Sequence, residues 1–383
     1  MSRQGEHAGG SDWWGRLYDD DAPDTGRAPT GDSVDERFDS AARTLGAPPA
    51  DPAAPTGSEA PEAPAEPPSP AAPVPDFVGD HPPDYDPEPT ALPAADPDEL
   101  AELTPDTALD GARYGSFTLR AVSLRGDSAR YRGGPRRDAL LTARFGSGED
   151  ALVLVAVATG AHDAIEAHRA ARDICRWVGA FVGRSHARLA EDIRAARRGD
   201  LKSGLHRLTG RGYGRLRARA AELGLEAAEY TADLRCLLLP ADPGCRVRVF
   251  FGVGGGGLFR LRGGAWQDIE PRGHEADAPG GPAAEGAAGA GYEDGSPAFD
   301  PGPAPAMPGP FRFRASVARP GDTLLLCSAG LAAPMRGESA FAGRLAERWA
   351  GGRPPGLAGF LADAQLRVDG YAEDRTAAAV WEH

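Results

Sequence analysis

The sequence predicts an α+β domain of about 270 residues, layered on antiparallel sheets and preceded by a disordered acidic tail. Three observations lead there. Composition changes abruptly near residue 110, strands, helices and again strands and helices follow one another beyond it, and several strands are joined by short turn-forming stretches.

The first 110 residues hold 25 acidic side chains and 5 arginines, a balance of −20, so in a chain of net charge −14 the remainder carries +6. Between Pro49 and Pro105 the sequence is mostly Pro, Ala, Asp and Glu, with almost no large apolar residues. Such a segment cannot bury enough apolar surface to offset the entropy of ordering, and a disordered, partly extended linker is expected. Near the start, SDWWGRLYDDDAPDTG sets Trp13, Trp14 and Tyr18 in acidic surroundings. Aromatic anchors in a disordered tail fit a motif that docks on a partner protein, and they fit equally a short helix packing back on its own domain.

The folded pattern starts near residue 111 and runs to 383. Alternation predicts a strand over 117–123, and the apolar run ALVLVAVA at 151–158 predicts one buried on both faces. An apolar stripe through Ala164, Ile165, Ala171, Ile174, Cys175 and Val178 predicts a helix over 162–181. The basic segment 184–219 carries 11 basic and 3 acidic residues and reads as one or two helices broken around 199–210. Nucleic-acid binding through it is disfavoured, because aromatic interleaving is limited to Tyr213. A solvated face is the simpler account, and a hold on the chain's own acidic tail is a third. Strands follow at 234–239, 246–252 and 258–262, then a flexible Gly/Ala/Pro-rich insertion at about 273–310. Beyond it come strands at 311–317 and 323–328, helices near 338–349 and 356–366, and a last strand at 376–381. The stretch LLLCSAGL reads as a buried strand entering a tight turn at Ala329 and Gly330.

Several chemistries are set aside. Four scattered cysteines without a Cys-x-x-Cys pair, and no secretory signal opening the sequence, point to a reducing cytoplasm rather than to disulfides or structural zinc. No uncharged apolar run approaches the roughly 20 residues of a membrane-spanning helix. GVGGGG at 252–257 satisfies Gly-x-Gly-x-x-Gly, but a strand follows instead of a helix, so a glycine hairpin is expected and dinucleotide binding is not. Ser328 lacks the Gly-x-Ser-x-Gly setting of a hydrolase nucleophile. The histidines His162, His168, His186 and His206 form no ligand pair and are expected as exposed helix residues.

The order of strand-end turns resembles the type 2C metal-dependent protein serine/threonine phosphatases (the PPM family) of bacteria. SLRGDSARYRGGPRRDALL is similar to that family's opening motif: Gly126, Ser128, Gly133, Pro135, Asp138 and Ala139 match, whereas the motif's His and Arg fall on Ala129 and Tyr131. LVLVAVATGA stands where the family has a strand and Asp-Gly, GVGGGGLFRLR where it has a Gly-Asp-Gly hairpin, LLLCSAGL where it has Ser-Asp-Gly-Leu, and YAEDRTAAAVWE where its closing Asp-Arg-Thr strand lies. The resemblance implies a four-layer α-β-β-α sandwich of two antiparallel sheets flanked by helices.

It also implies a dinuclear manganese or magnesium site built on acidic residues at those turns, and here the sequence departs. The motif carboxylates are replaced by Thr159, Gly255 and Ala329, Arg137 stands before Asp138, and only Asp138 and Asp374 remain as residual metal ligands. Hard cations take several oxygen ligands. The expectation is therefore a pseudophosphatase without a cofactor, acting as a phosphoprotein-binding or regulatory module in phosphosignalling. An active metal-dependent phosphatase with a rearranged site, using manganese or magnesium, is the alternative, and Asp127 or Asp163 is its candidate substitute acid. The simpler reading of those two makes Asp163 a helix cap and leaves Asp127 exposed. Arg130, Arg132, Arg136 and Arg137 cluster in the first motif as candidates for holding the phosphate of a phosphorylated partner.

Overall fold

The computed structural model describes residues 76–161, 164, 166–271 and 307–383. Trp13, Trp14 and Tyr18, the neighbours His162 and Asp163, and most of the 273–310 insertion lie outside the described residues.

Two antiparallel sheets form the centre. The five-stranded sheet contains β4 (Asp138–Phe145), β5 (Leu152–Gly160), β6 (Ala232–Pro240), β7 (Val247–Val253) and β10 (Arg312–Val317), in the order β10-β7-β6-β5-β4. The six-stranded sheet contains β2 (Thr107–Arg113), β3 (Phe117–Leu124), β8 (Gly257–Arg262), β9 (Ala265–Asp268), β11 (Thr323–Cys327) and β13 (Arg375–Glu382), in the order β2-β3-β13-β11-β8-β9. A short parallel pair joins β1 (Phe77–Val78) to β12 (Arg367–Val368). A single-turn helix, α1 (Asp127–Arg132), lies between β3 and β4.

Alternation along each strand separates three apolar layers. On β5, Val153, Val155 and Val157 meet Leu237, Leu239, Phe250, Leu324, Leu326 and Val380 between the sheets. The intervening Leu152, Leu154, Ala156 and Ala158 face the helices α2 (Ala167–Arg184) and α4 (Arg198–Glu222) through Ile174, Val178, Leu205 and Leu216. On the other side, Leu325, Cys327, Ala377, Ala379 and Trp381 pack on Phe341, Leu345 and Trp349 of α6 (Ser339–Trp349) and Phe360 of α7 (Leu357–Gln365). The result is the expected four-layer α-β-β-α sandwich. A strand with both faces covered must be apolar throughout, which is why 151–158 reads as an unbroken run.

The departures have local causes. Strand β2, with the sequence TALDGAR, straddles the boundary at 110–111 between the expected tail and the folded pattern. It is an edge strand with half-exposed side chains, held by its register with β3, and leaves little apolar pattern to read. Residues 76–106, inside or next to the expected linker, are anchored by polar and ring contacts: Glu99 and Glu102 pair with Arg169 and Arg172, and the rings of Tyr85 and Tyr131 lie 5.6 Å apart. The folded part therefore starts before the boundary at 110–111. In the basic segment the break falls at 195–197, between α3 (His186–Arg194) and α4, not at 199–210. α4 runs through its glycines, and at Gly212 an added Cβ would come within 2.7 Å of Ile174, so the small residue permits close packing on α2. The 252–257 stretch is not a hairpin, since β7 and β8 belong to different sheets and the glycines carry the chain from one sheet to the other. The turn expected at Ala329 and Gly330 is instead the first turn of a helix, α5 (Ala329–Gly337). Among the described residues no helix is long and apolar enough to cross a membrane.

Arg248 of β7 and Glu382 of β13 join the two sheets by a fork of two hydrogen bonds at 2.7 Å each, with both side chains at most 1% exposed and the guanidinium 5.1 Å above the Phe117 ring. Removing one partner of such a pair strands the other's charge, whereas an apolar pair of similar volume does not. Glu382→Ala should lose about 3–5 kcal/mol in urea unfolding. The double variant Arg248→Met/Glu382→Leu should recover most of that loss.

Candidate functional site

The site grows from one row of cross-strand partners. Asp138 of β4 pairs in register with Thr159 of β5, and Thr159 with Asp233 of β6. Directly paired residues point to the same side of a sheet. Since Ala139, Ala158, Ala232 and Leu234 face the helices, Asp138, Thr159 and Asp233 face the second sheet, at the mouth of the inter-sheet layer. From that second sheet come Ala329 and Gly330, just after β11, and Glu373 and Asp374, just before β13. These residues line one cleft of ≈ 470 Å³, together with Arg137, Gly160, Ala161, Thr231, Ala232, Pro308, Ala333, Gly370 and Tyr371.

Both oxygens of Asp374 are engaged by backbone. Oδ1 accepts from Gly126 N at 2.7 Å, and Oδ2 from Arg137 N at 2.5 Å and Asp138 N at 3.3 Å. Gly126 is required by this approach, because an added Cβ would lie 2.3 Å from the Glu373 carbonyl carbon. Asp138 Oδ1 accepts from the Thr159 hydroxyl at 2.7 Å, while its buried Oδ2 has no hydrogen-bond partner. Asp233 Oδ2 accepts from Gly255 N at 2.7 Å. A Cβ placed on Gly255 would be 3.9 Å from the Ala329 methyl, so these two positions adjoin beside the cleft.

Guanidinium groups hold the chain that crosses between the sheets. Arg235 Nη1 donates to the carbonyls of Gly255 at 3.0 Å and Gly254 at 3.4 Å, and Arg312 Nη1 to Gly254 at 3.2 Å. Glu270 pairs with both arginines. Arg336 Nη1 donates to the Gly256 carbonyl at 3.0 Å.

Of the residues singled out in the sequence, Asp138, Thr159, Ala329, Asp374 and Arg137 come together on the cleft, with Gly255 beside it. The arginine cluster does not converge there. Arg130 forks onto Asp106 at 3.0 and 2.6 Å, and Arg136 is buried, donating to the carbonyls of Asp138 at 3.0 Å and Ser123 at 2.8 Å. Arg132 is exposed and does not line the cleft. Arg137 alone lines it, with Glu373 at 3.3 Å. Asp127, expected to be exposed, is half-buried and bound to Arg367 at 2.9 Å, away from the cleft residues. Ser328 is buried, and its Oγ accepts from Thr376 N at 3.0 Å. His168, His186 and His206 are half-buried rather than exposed, His206 lying edge-on to Phe311 at 5.1 Å. Sequence reasoning passes over Asp233, because the strand reads as starting at Leu234. The available signal is the Asp-x-Arg alternation at the head of an apolar strand.

Burial, reinforced by the charge of Asp374, pushes the Asp138 carboxyl up to about 7, against the opposing hydroxyls of Thr159, Ser328 and Thr376. Burial also raises Asp374 and Asp233, opposed by the backbone N–H groups that each accepts. An acid raised in the folded state binds a proton there that the unfolded chain releases, so its contribution to stability is present at low pH and falls away as pH rises from the ordinary carboxylate range toward about 7. Asp138→Asn removes that dependence. Thermal melts should show the variant gaining several degrees on the wild type between pH 5 and pH 8.

A family model for protein phosphatase 2C matches residues 125–367. Solved structures similar to this chain include PppA, a regulatory component of the type VI secretion system (T6SS) in Pseudomonas aeruginosa, at 18% identity and TM-score 0.42, over 72% of this chain and 100% of that one. The Mycobacterium tuberculosis serine/threonine phosphatase PstP matches at 18% identity and TM-score 0.41, over 70% of this chain and 100% of that one. The S. agalactiae serine/threonine phosphatase does so at 14% and 0.42, again over 70% and 100%. No curated protein sequence matches this chain. The cleft residues Gly370, Tyr371, Glu373 and Asp374 lie just beyond the span of the family model, which holds the rest of the cleft. That span is well over half of the sequence, and the chain belongs to the protein phosphatase 2C family.

Proposed function

We propose that this protein is a pseudophosphatase: a type 2C phosphatase domain that has lost metal-dependent catalysis and serves as a binding or regulatory module in bacterial phosphosignalling, in the cytoplasm. The observation that carries this reading is the donor set of the cleft. Three turns that hold carboxylates in the family present a hydroxyl, a bare backbone and a methyl group at Thr159, Gly255 and Ala329. Asp374 has both oxygens committed to backbone N–H groups, and Thr159 occupies one oxygen of Asp138. Two divalent cations need several oxygen ligands each. The residues present do not fit that pair.

One observation favours the alternative, an active enzyme with a rearranged site. Asp233 is an additional carboxylate on the same cleft, where neither Asp127 nor most of the arginine cluster is found. Its Oδ2 is bound to Gly255 N, which leaves Oδ1 as the added donor.

Calorimetry with manganese and magnesium, alongside turnover of a phosphoserine protein substrate, separates the two. The expected result is no stoichiometric metal binding and no turnover above background. Metal-dependent turnover that disappears in Asp138→Ala and Asp374→Ala would overturn the proposal.

A further inference from the structure

The cleft is charged in the sense opposite to a phosphate site. Asp138, Asp233, Glu373 and Asp374 line it, against Arg137 alone, and Arg137 already lies beside Glu373. Arg235, next along β6 on the same face, is committed to Glu270 and the crossing loop. Asp138 and Asp233 stand two strand spacings apart, roughly 9–10 Å between their backbones, on either side of Thr159. Asp138 is 2% exposed; Thr159 holds its Oδ1, and its Oδ2, left without a hydrogen bond, is an uncompensated acceptor that either a proton or a positive partner relieves. The remaining wall is largely apolar: Ala161, Pro308, Ala329, Ala333 and Tyr371. Ala329 presents only a methyl group to the cleft.

The geometry points to this cleft as the receptor for a basic side chain, arginine or lysine, presented by a partner protein: the cationic head lies between Asp233 and Asp138, and the aliphatic stem lies against Ala329, Ala333, Pro308 and Tyr371. A long basic side chain combines these two requirements, a charged end and an apolar stem. A compact divalent cation would leave the apolar wall unused, and a phosphate would face carboxylates. The inference rests on the reading of the domain as a binding module and names what its cleft takes.

The test uses the full chain and fluorescent short peptides, identical except for a central Arg, Ala or phosphoserine. The arginine peptide should bind at least tenfold more tightly than the other two. Asp233→Asn, which keeps an oxygen for Gly255 N, and Ala329→Leu, which fills the cleft without changing charge, should each weaken it tenfold or more while thermal melts stay close to wild type. Equal affinity in both variants, or preference for the phosphoserine peptide, would overturn the inference. So would agmatine binding as tightly as the arginine peptide, which would mark a small-amine site, or manganese displacing the peptide at stoichiometric concentration. Because the readout is binding, its failure leaves the expected absence of turnover untouched, and turnover would sink the broader reading independently.

Discussion

The cross-strand register of β4, β5 and β6 is the constraint on which the rest depends. Both faces of β5 are covered, by helices on one side and the second sheet on the other. A slip of one residue would exchange the two faces of a strand, and with distinct layers on each side the register is strongly specified. That register sets Asp138, Thr159 and Asp233 in one row at the mouth of the inter-sheet layer. The cleft is therefore a consequence of packing and persists without the carboxylates that distinguish the family's metal motifs.

Asp374 shows how a site residue can be retained for structural reasons. Its carboxylate gathers the N–H groups of Gly126, Arg137 and Asp138, tying the start of β13 to both ends of the segment that carries α1. Removing it would leave three inward-facing donors short of an acceptor, a cost that does not depend on catalysis. Asp138 has no such claim on both of its oxygens: Thr159 holds one, the other is left without a hydrogen bond, and burial pushes the carboxyl up toward its neutral form.

Several arginines around the two sheets serve as internal cations. Arg235 and Arg312 hold the crossing loop, Arg248 clamps the sheets, and Arg136 donates to carbonyls beneath the first motif. Counting arginines near a motif therefore overstates an anion site. A planar guanidinium with several fixed donors satisfies backbone carbonyls as readily as phosphate, and the sequence does not distinguish the two uses.

The sequence by itself determined an α+β domain and its buried strands, because two-sided burial writes continuous apolar runs and one-sided helix burial writes a stripe, and the four-layer sandwich followed from the resemblance that its turn motifs carry. It also determined that Thr159, Gly255 and Ala329 carry no carboxylate, since side-chain chemistry needs no coordinates. What it left undetermined were features set by contacts remote in the chain. The edge strand β2 draws its order from β3, the segment before it from ion pairs, and the unbroken α4 from the close approach that Gly212 allows on α2. Only the tertiary structure decided that Arg130 and Arg136 turn away from the cleft, that Asp233 turns into it, and that one oxygen of Asp138 is left without a partner. Those outcomes depend on which groups meet across the sheets, and local sequence carries no record of such meetings.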